Sequence, residues 1–152
     1  GIWAYTVHIV RDLREDLLNG DTGRYLIPDE ILRKYELTRL CLREIAESGK
    51  IPSSLPEMVR EFWLLGQQYG KIGMVQADTL ARTLPLPRQK VLCIIISIYS
   101  HMSEAIVRLG WDVIGKNPQQ AVADREDLIR RILTASSWSQ LRRFWISDSI
   151  VP

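Results

Sequence analysis

Apolar residues return every three or four positions along almost the whole chain, as expected of helices that each bury one face. Ile2, Ile9, Leu13 and Leu17 share one side of a segment running from Ile2 to Asn19, which Gly20 and the Asp21-Thr22-Gly23 turn bring to an end. Tyr25-Leu26-Ile27 reads as extended, because a residue before proline is steered away from helix. Pro28 to Leu32 predicts a short helix with proline in its first turn. Thr38 to Ser48 predicts another, with Leu40, Leu42, Ile45 and Ala46 inward and Gly49 as the stop. Ser53 or Ser54 caps a long helix from about Leu55 towards Leu84, on which Phe62, Leu65, Tyr69, Ile72, Gln76 and Leu80 lie near one face. Pro85-Leu86-Pro87 breaks the pattern, and Arg88 to Leu109 forms a second long helix that stops at Gly110. Its Val91–Ser97 stretch is apolar all round, as a central helix would be. A loop at Gly115–Pro118 leads to a polar helix, Ala121 to Ala135. An amphipathic helix follows, Ser137 to Ile146, carrying Trp138, Leu141 and Trp145. Alternating strand patterns, repeats and linkers are absent. The expectation is one all-α bundle of six or seven helices.

Composition narrows this only a little. A chain of 152 residues is long enough for one real core, and 46% hydrophobic with 25% charged residues is ordinary for a soluble domain. The net charge of +2 gives no bulk attraction to nucleic acid, so none is expected as a partner. Cys41 and Cys93 sit in apolar helical patterns and read as buried thiols in a reducing compartment. No stretch approaches the roughly 20 apolar residues that span a bilayer. The longest, Val91 to Ile98, is interrupted by Ser97. The expected location is cytoplasmic, with peripheral membrane contact left open. The chain opens on Gly1-Ile2-Trp3, already within an apolar helical pattern, and reads as a piece of a longer protein. Gly66, Gly70 and Gly73 each weaken a helix interior by about 1 kcal/mol, so their spacing marks either close packing or a groove for a helix or ligand.

The chemistry concentrates in the first helix, where Arg11 to Asp16 holds five charges in six residues. At about 100° per residue, His8, Asp12 and Asp16 fall within roughly an 80° arc flanked by Tyr5 and Glu15. Carboxylate oxygens at this spacing suit Mg²⁺, which prefers hard oxygen ligands and often shares its shell with substrate phosphates. The alternative is a solvated face with Arg11 and Glu15 as an i,i+4 pair.

A resemblance adds weight to the first reading. Arg11-Asp12-Leu13-Arg14-Glu15-Asp16, then Gly23-Arg24-Tyr25-Leu26-Ile27-Pro28 and Asp29-Glu30, resembles the second aspartate-rich region of the squalene/phytoene synthase family, the head-to-head trans-prenyltransferases. The match has one extra residue before Pro28. Ile98 to Ile114, with Tyr99 and Gly110-Trp111-Asp112-Val113, is similar to a later stretch of that family. The resemblance covers residues 1 to about 115 and implies the C-terminal part, residues 1–152, of a single isoprenoid-synthase (terpenoid synthase) domain. It also implies Mg²⁺-dependent condensation of two prenyl diphosphates. One diphosphate ionises, the double bond of the other substrate attacks the allylic cation, and a cyclopropyl intermediate forms. Asp12 and Asp16 fall on the family's metal-binding aspartates. His8 would be a further metal ligand, and Glu15, Tyr5, Arg11, Tyr25 and Tyr99 would meet substrate.

The sequence also departs from the family. His8 and Tyr5 stand where it usually has Asn and Gln, and the basic cluster expected after Val113 is reduced to Lys116. The family's first aspartate-rich helix has no counterpart here. The chain alone is therefore expected to be inactive, with a missing N-terminal half or another copy covering the first helix. A non-catalytic relative that keeps the scaffold as an interaction module is the main alternative, and a diphosphate lyase or terpene-cyclase-like enzyme is another.

Overall fold

Helices form wherever the apolar period runs in the computed structural model, which describes residues 1–19, 26–118 and 125–145. The order is α1 (Ile2–Asn19), α2 (Asp29–Lys34), α3 (Arg39–Ser48), α4 (Ser54–Ala81), α5 (Leu86–Arg108), α6 (Arg125–Thr134) and α7 (Trp138–Leu141), which runs into a 3-10 turn, Arg142–Phe144. No strand occurs among the described residues, so the fold is all-α.

Local chemistry sets the ends. Thr38 caps α3 by accepting from the Cys41 amide at 3.1 Å, and Gly49 closes it in the left-handed conformation that glycine adopts without strain. Because Pro87 fits the first turn of a helix, α5 starts at Leu86 rather than Arg88. Between the two long helices, Gln89 donates to the Ala81 and Leu84 carbonyls at 2.8 and 3.0 Å, which supplies donors where α4 has run out of them.

α1 lies along α4 and is held there by two close approaches. The α-carbon of Gly66 faces Thr6, and that of Gly70 faces the Trp3 indole. The apolar side of α1 (Val7, Val10, Leu13, Leu17) joins α2, α3, the first half of α4 and the end of α5 in one core. Within it, the fully buried Ser103 hydroxyl accepts from the Trp63 indole at 2.9 Å and from Gln67 at 3.0 Å. A second core, built on Cys93, Ile96, Ile132 and Leu141, joins the start of α5 to α6 and α7. Asp78 ties α4 into it, accepting from the Trp138 indole at 3.0 Å and from Arg82 at 2.9 Å. Those two bonds hold its carboxyl below the usual range.

One expected core position is not buried, since Leu40 is 68% exposed. Of the apolar row on α4, Phe62 is inside and Leu65, Tyr69, Ile72 and Leu80 are outside. The all-round apolar stretch of α5 is not surrounded either, since Val91 and Ile95 face solvent. Cys93 is buried as expected, its thiol donating to the Leu141 carbonyl at 3.2 Å, whereas Cys41 is only half-buried. The membrane reading also needs correction. The helix Leu86–Arg108 is long and apolar enough to cross a bilayer by length and composition. Ser97 does not break that helix, because its hydroxyl is buried beside the Cys93 thiol. A core helix of a soluble protein meets the same criterion.

Candidate functional site

The stripe on α1 forms because its apolar residues commit the opposite side of the helix to the core. Val7, Val10, Leu13 and Leu17 turn inward, so Tyr5, His8 and Glu15 face out and Asp12 and Asp16 lie part-buried at the margin. Asp12 is the centre of the polar cluster. Arg11 grips both of its oxygens, Nε to Oδ1 and a terminal nitrogen to Oδ2, each at 2.5 Å. His8 approaches from one turn back, with Nε2 at 3.1 Å from Oδ2, while the same Arg11 nitrogen lies 2.8 Å from His8 Nδ1. Asp12 and Arg11 are 15% and 21% exposed, far less than a solvated ion pair would be. The Asp12 hydrogen bonds raise the already high pKa of Arg11, with Tyr99 and Glu15 adding to the effect through space. Arg11 therefore pairs with its neighbour Asp12 rather than with Glu15 one turn on.

An apolar groove of about 220 Å³ opens at the first turn of α1, where the two cores meet. The first turn of α1 (Ile2, Trp3), the middle of α4 (Tyr69, Gly73) and the face of α5 (Ile95, Tyr99) line it. Gly73 has nothing within 4 Å of where its side chain would start, so this glycine keeps the groove open while Gly66 and Gly70 serve close packing. Tyr99 lines the groove on the α5 side, its ring meeting Trp3 edge-on at 6.3 Å. Tyr5 stands exposed on the α1 surface nearby. Tyr25 lies outside the described residues. The later motif forms the exit from α5: Gly110 and Trp111 are both left-handed, and the Asp112 carboxylate accepts from the Gly115 amide at 2.8 Å. That aspartate closes a turn and is remote from the stripe in sequence and role.

Among the described residues, no three His, Cys, Asp or Glu side chains converge into a group able to hold a metal. Asp12 and Asp16 are nevertheless two carboxylates one turn apart, and Asp12 already holds a cation, the Arg11 guanidinium. Comparison of the chain with known protein families, curated proteins and solved structures finds no match.

Proposed function

We propose that this chain is the C-terminal wall of a squalene/phytoene-synthase-like prenyltransferase, its bundle forming part of an isoprenoid-synthase fold. The observation that carries the reading is that one helix bears both a carboxylate–guanidinium cluster and, at its first turn, one wall of an open apolar groove. A prenyl diphosphate has the same two-part chemistry, an anionic head and an apolar tail. In this reading Asp12 and Asp16 hold Mg²⁺, with His8 beside them, and Arg11 offers its planar donors to phosphate oxygens. Glu15 and Tyr5 border the head group, and Tyr25 belongs to the segment that follows. Ile2, Trp3, Ile95 and Tyr99 shield the tail and keep water from a carbocation. The bound metal would supply Lewis-acid assistance to the departing diphosphate. The exposed apolar residues at the groove, Ile2, Tyr69 and Ile95 among them, suit a face that a missing N-terminal half or another copy would cover. Leu86–Arg108 leaves a membrane-associated, otherwise cytoplasmic location open.

A second reading, a non-catalytic scaffold, is favoured by the closed state of Asp12, whose oxygens are already taken by Arg11 and His8. One titration separates the two. The chain is titrated with farnesyl thiodiphosphate, with and without Mg²⁺. The prenyltransferase reading expects Mg²⁺-dependent binding that weakens about tenfold or more, or 1.4 kcal/mol, in the Asp12→Asn, Asp16→Asn variant, with the helical fold retained by circular dichroism. In the complete enzyme the same variant loses turnover by orders of magnitude. Binding that ignores Mg²⁺ and both aspartates would leave the scaffold reading standing.

A further inference from the structure

The pair of long helices, α4 and α5, differs in composition from the rest of the chain. From Phe62 to Ser103 it carries Lys71, Arg82, Arg88 and Lys90 but only Asp78 among the 18 acidic residues of the sequence. Asp78 is engaged internally, its oxygens meeting Arg82, Arg142 and the Trp138 indole. Lys90 donates to the Leu133 carbonyl, whereas Lys71 and Arg88 stay exposed. The same stretch holds more than half of the large hydrophobic side chains that face solvent among the described residues. On α4, Leu65, Tyr69, Ile72 and Leu80 fall within roughly an 80° arc. On α5, Val91 and Ile95 stand one turn apart, with Arg88 a turn before them. The two rows meet, because Tyr69 and Ile95 line one groove together with Ile2 of α1. The result is an apolar surface across three helices, with Arg88 at one end and Lys71 beside Ile72.

The other side of α5 is already committed. It places Met102 and Ile106 in the first core and Cys93 and Ile96 in the second, so the helix offers one face and cannot cross a bilayer from this position. An apolar face with a cationic margin lies along a membrane rather than through it. A second copy fits this face less well. Two such surfaces, each with Lys71 and Arg88 and no free acid between Phe62 and Ser103, would bring like charges together.

We propose that the exposed face of α4 and α5, with Ile2, is a docking surface for an anionic lipid bilayer. Its apolar side chains enter the head-group boundary, and Lys71 and Arg88 reach along their apolar stems to lipid phosphates and carboxylates. The groove then opens on the membrane side, where an amphiphile enters it without crossing water. This inference is independent of the chemistry on α1 and holds whether or not the chain binds a prenyl diphosphate.

The test is flotation of the 152-residue chain with vesicles of phosphatidylcholine alone, or mixed in equal parts with phosphatidylserine. Wild type should float with the mixed vesicles, and less so as salt rises. Ile72→Gln with Ile95→Gln alters two exposed side chains, so the fold should survive, which circular dichroism checks. This pair should bind mixed vesicles about tenfold or more weakly. Lys71→Gln with Arg88→Gln should lose about fivefold per charge on the mixed vesicles and nothing on phosphatidylcholine alone. Leu40→Gln, exposed on α3 instead, should bind as wild type does. Failure of wild type to float, equal flotation with both vesicle types, or full binding by the isoleucine pair overturns the proposal. An equal loss in Leu40→Gln does the same, since it would mark general stickiness. Sedimentation without lipid covers the other occupant: a dimer that the isoleucine pair dissociates assigns the face to a second copy and overturns the membrane reading.

Discussion

Adding one methyl group at each of the three α4 glycines should give three different answers. Gly73→Ala places a side chain in open space. It should gain the helix propensity that glycine forgoes, about 1 kcal/mol, or about 2–4 °C in Tm for a chain of this size. Gly66→Ala makes the same gain but sets a Cβ at 2.7 Å from both Cβ and Cγ2 of Thr6. Thr6 cannot yield, because it is β-branched, buried, and bonded through its hydroxyl to the Ile2 carbonyl at 3.0 Å. α1 must then move off α4, and overpacking of this kind costs about 1–3 kcal/mol, so the net effect is a loss of up to about 2 kcal/mol. Gly70→Ala lies between. Its Cβ would meet Trp3 Cδ1 at 2.8 Å, and that ring can swing towards the groove at the expense of its edge contact with Tyr99. Urea denaturation followed by circular dichroism should rank Gly73→Ala above wild type, then Gly70→Ala, then Gly66→Ala. A Gly66→Ala chain as stable as Gly73→Ala would refute the close approach of the two helices.

Two further outcomes follow from buried polar groups. Ser103→Ala leaves the Trp63 indole N–H and Gln67 without their shared acceptor, which should lower stability by about 1–3 kcal/mol in the same denaturation assay. His101 is half-buried on α5, and burial pushes its pKa below the ordinary 6.5, with Glu104 raising it and Arg108 lowering it by less. Between the two values the unfolded chain binds the extra proton. Stability is therefore full above about pH 6.5 and falls as the pH drops towards the folded value. Melting curves from pH 7 to pH 5 should slope less for His101→Gln than for wild type, and equal slopes would remove His101 from the account.

The helices were legible where periodicity and end signals agreed. Ile2–Asn19 matches residue for residue, and Ile9, Leu13 and Leu17 are buried as its apolar period predicts, whereas Ile2 is 56% exposed and Val7 and Val10 complete the buried face. Leu40 shows the limit: one apolar residue in the first turn of α3 says nothing of where α4 and α1 stand, and Leu42, Ile45 and Ala46 decide the face. The acidic stripe was visible from spacing, but its wiring was not. Spacing pairs Arg11 with Glu15, whereas rotamers and partial burial pair it with Asp12. The groove could not be read directly, since Trp3, Gly73 and Tyr99 come from three distant segments. Gly73 was its only local trace.

The placement of the tryptophans gives each part of the molecule its own optical signature. Trp63 and Trp111 meet edge-on at 6.5 Å in the first core, and Trp138 and Trp145 do so at 5.0 Å in the second. Trp3 stands apart from both pairs, at the groove wall. Such fixed aromatic pairs generate near-ultraviolet dichroism only while their packing is rigid. Loosening of one core therefore erases one pair's signal and leaves the other, while emission from the remaining indole follows what enters the groove.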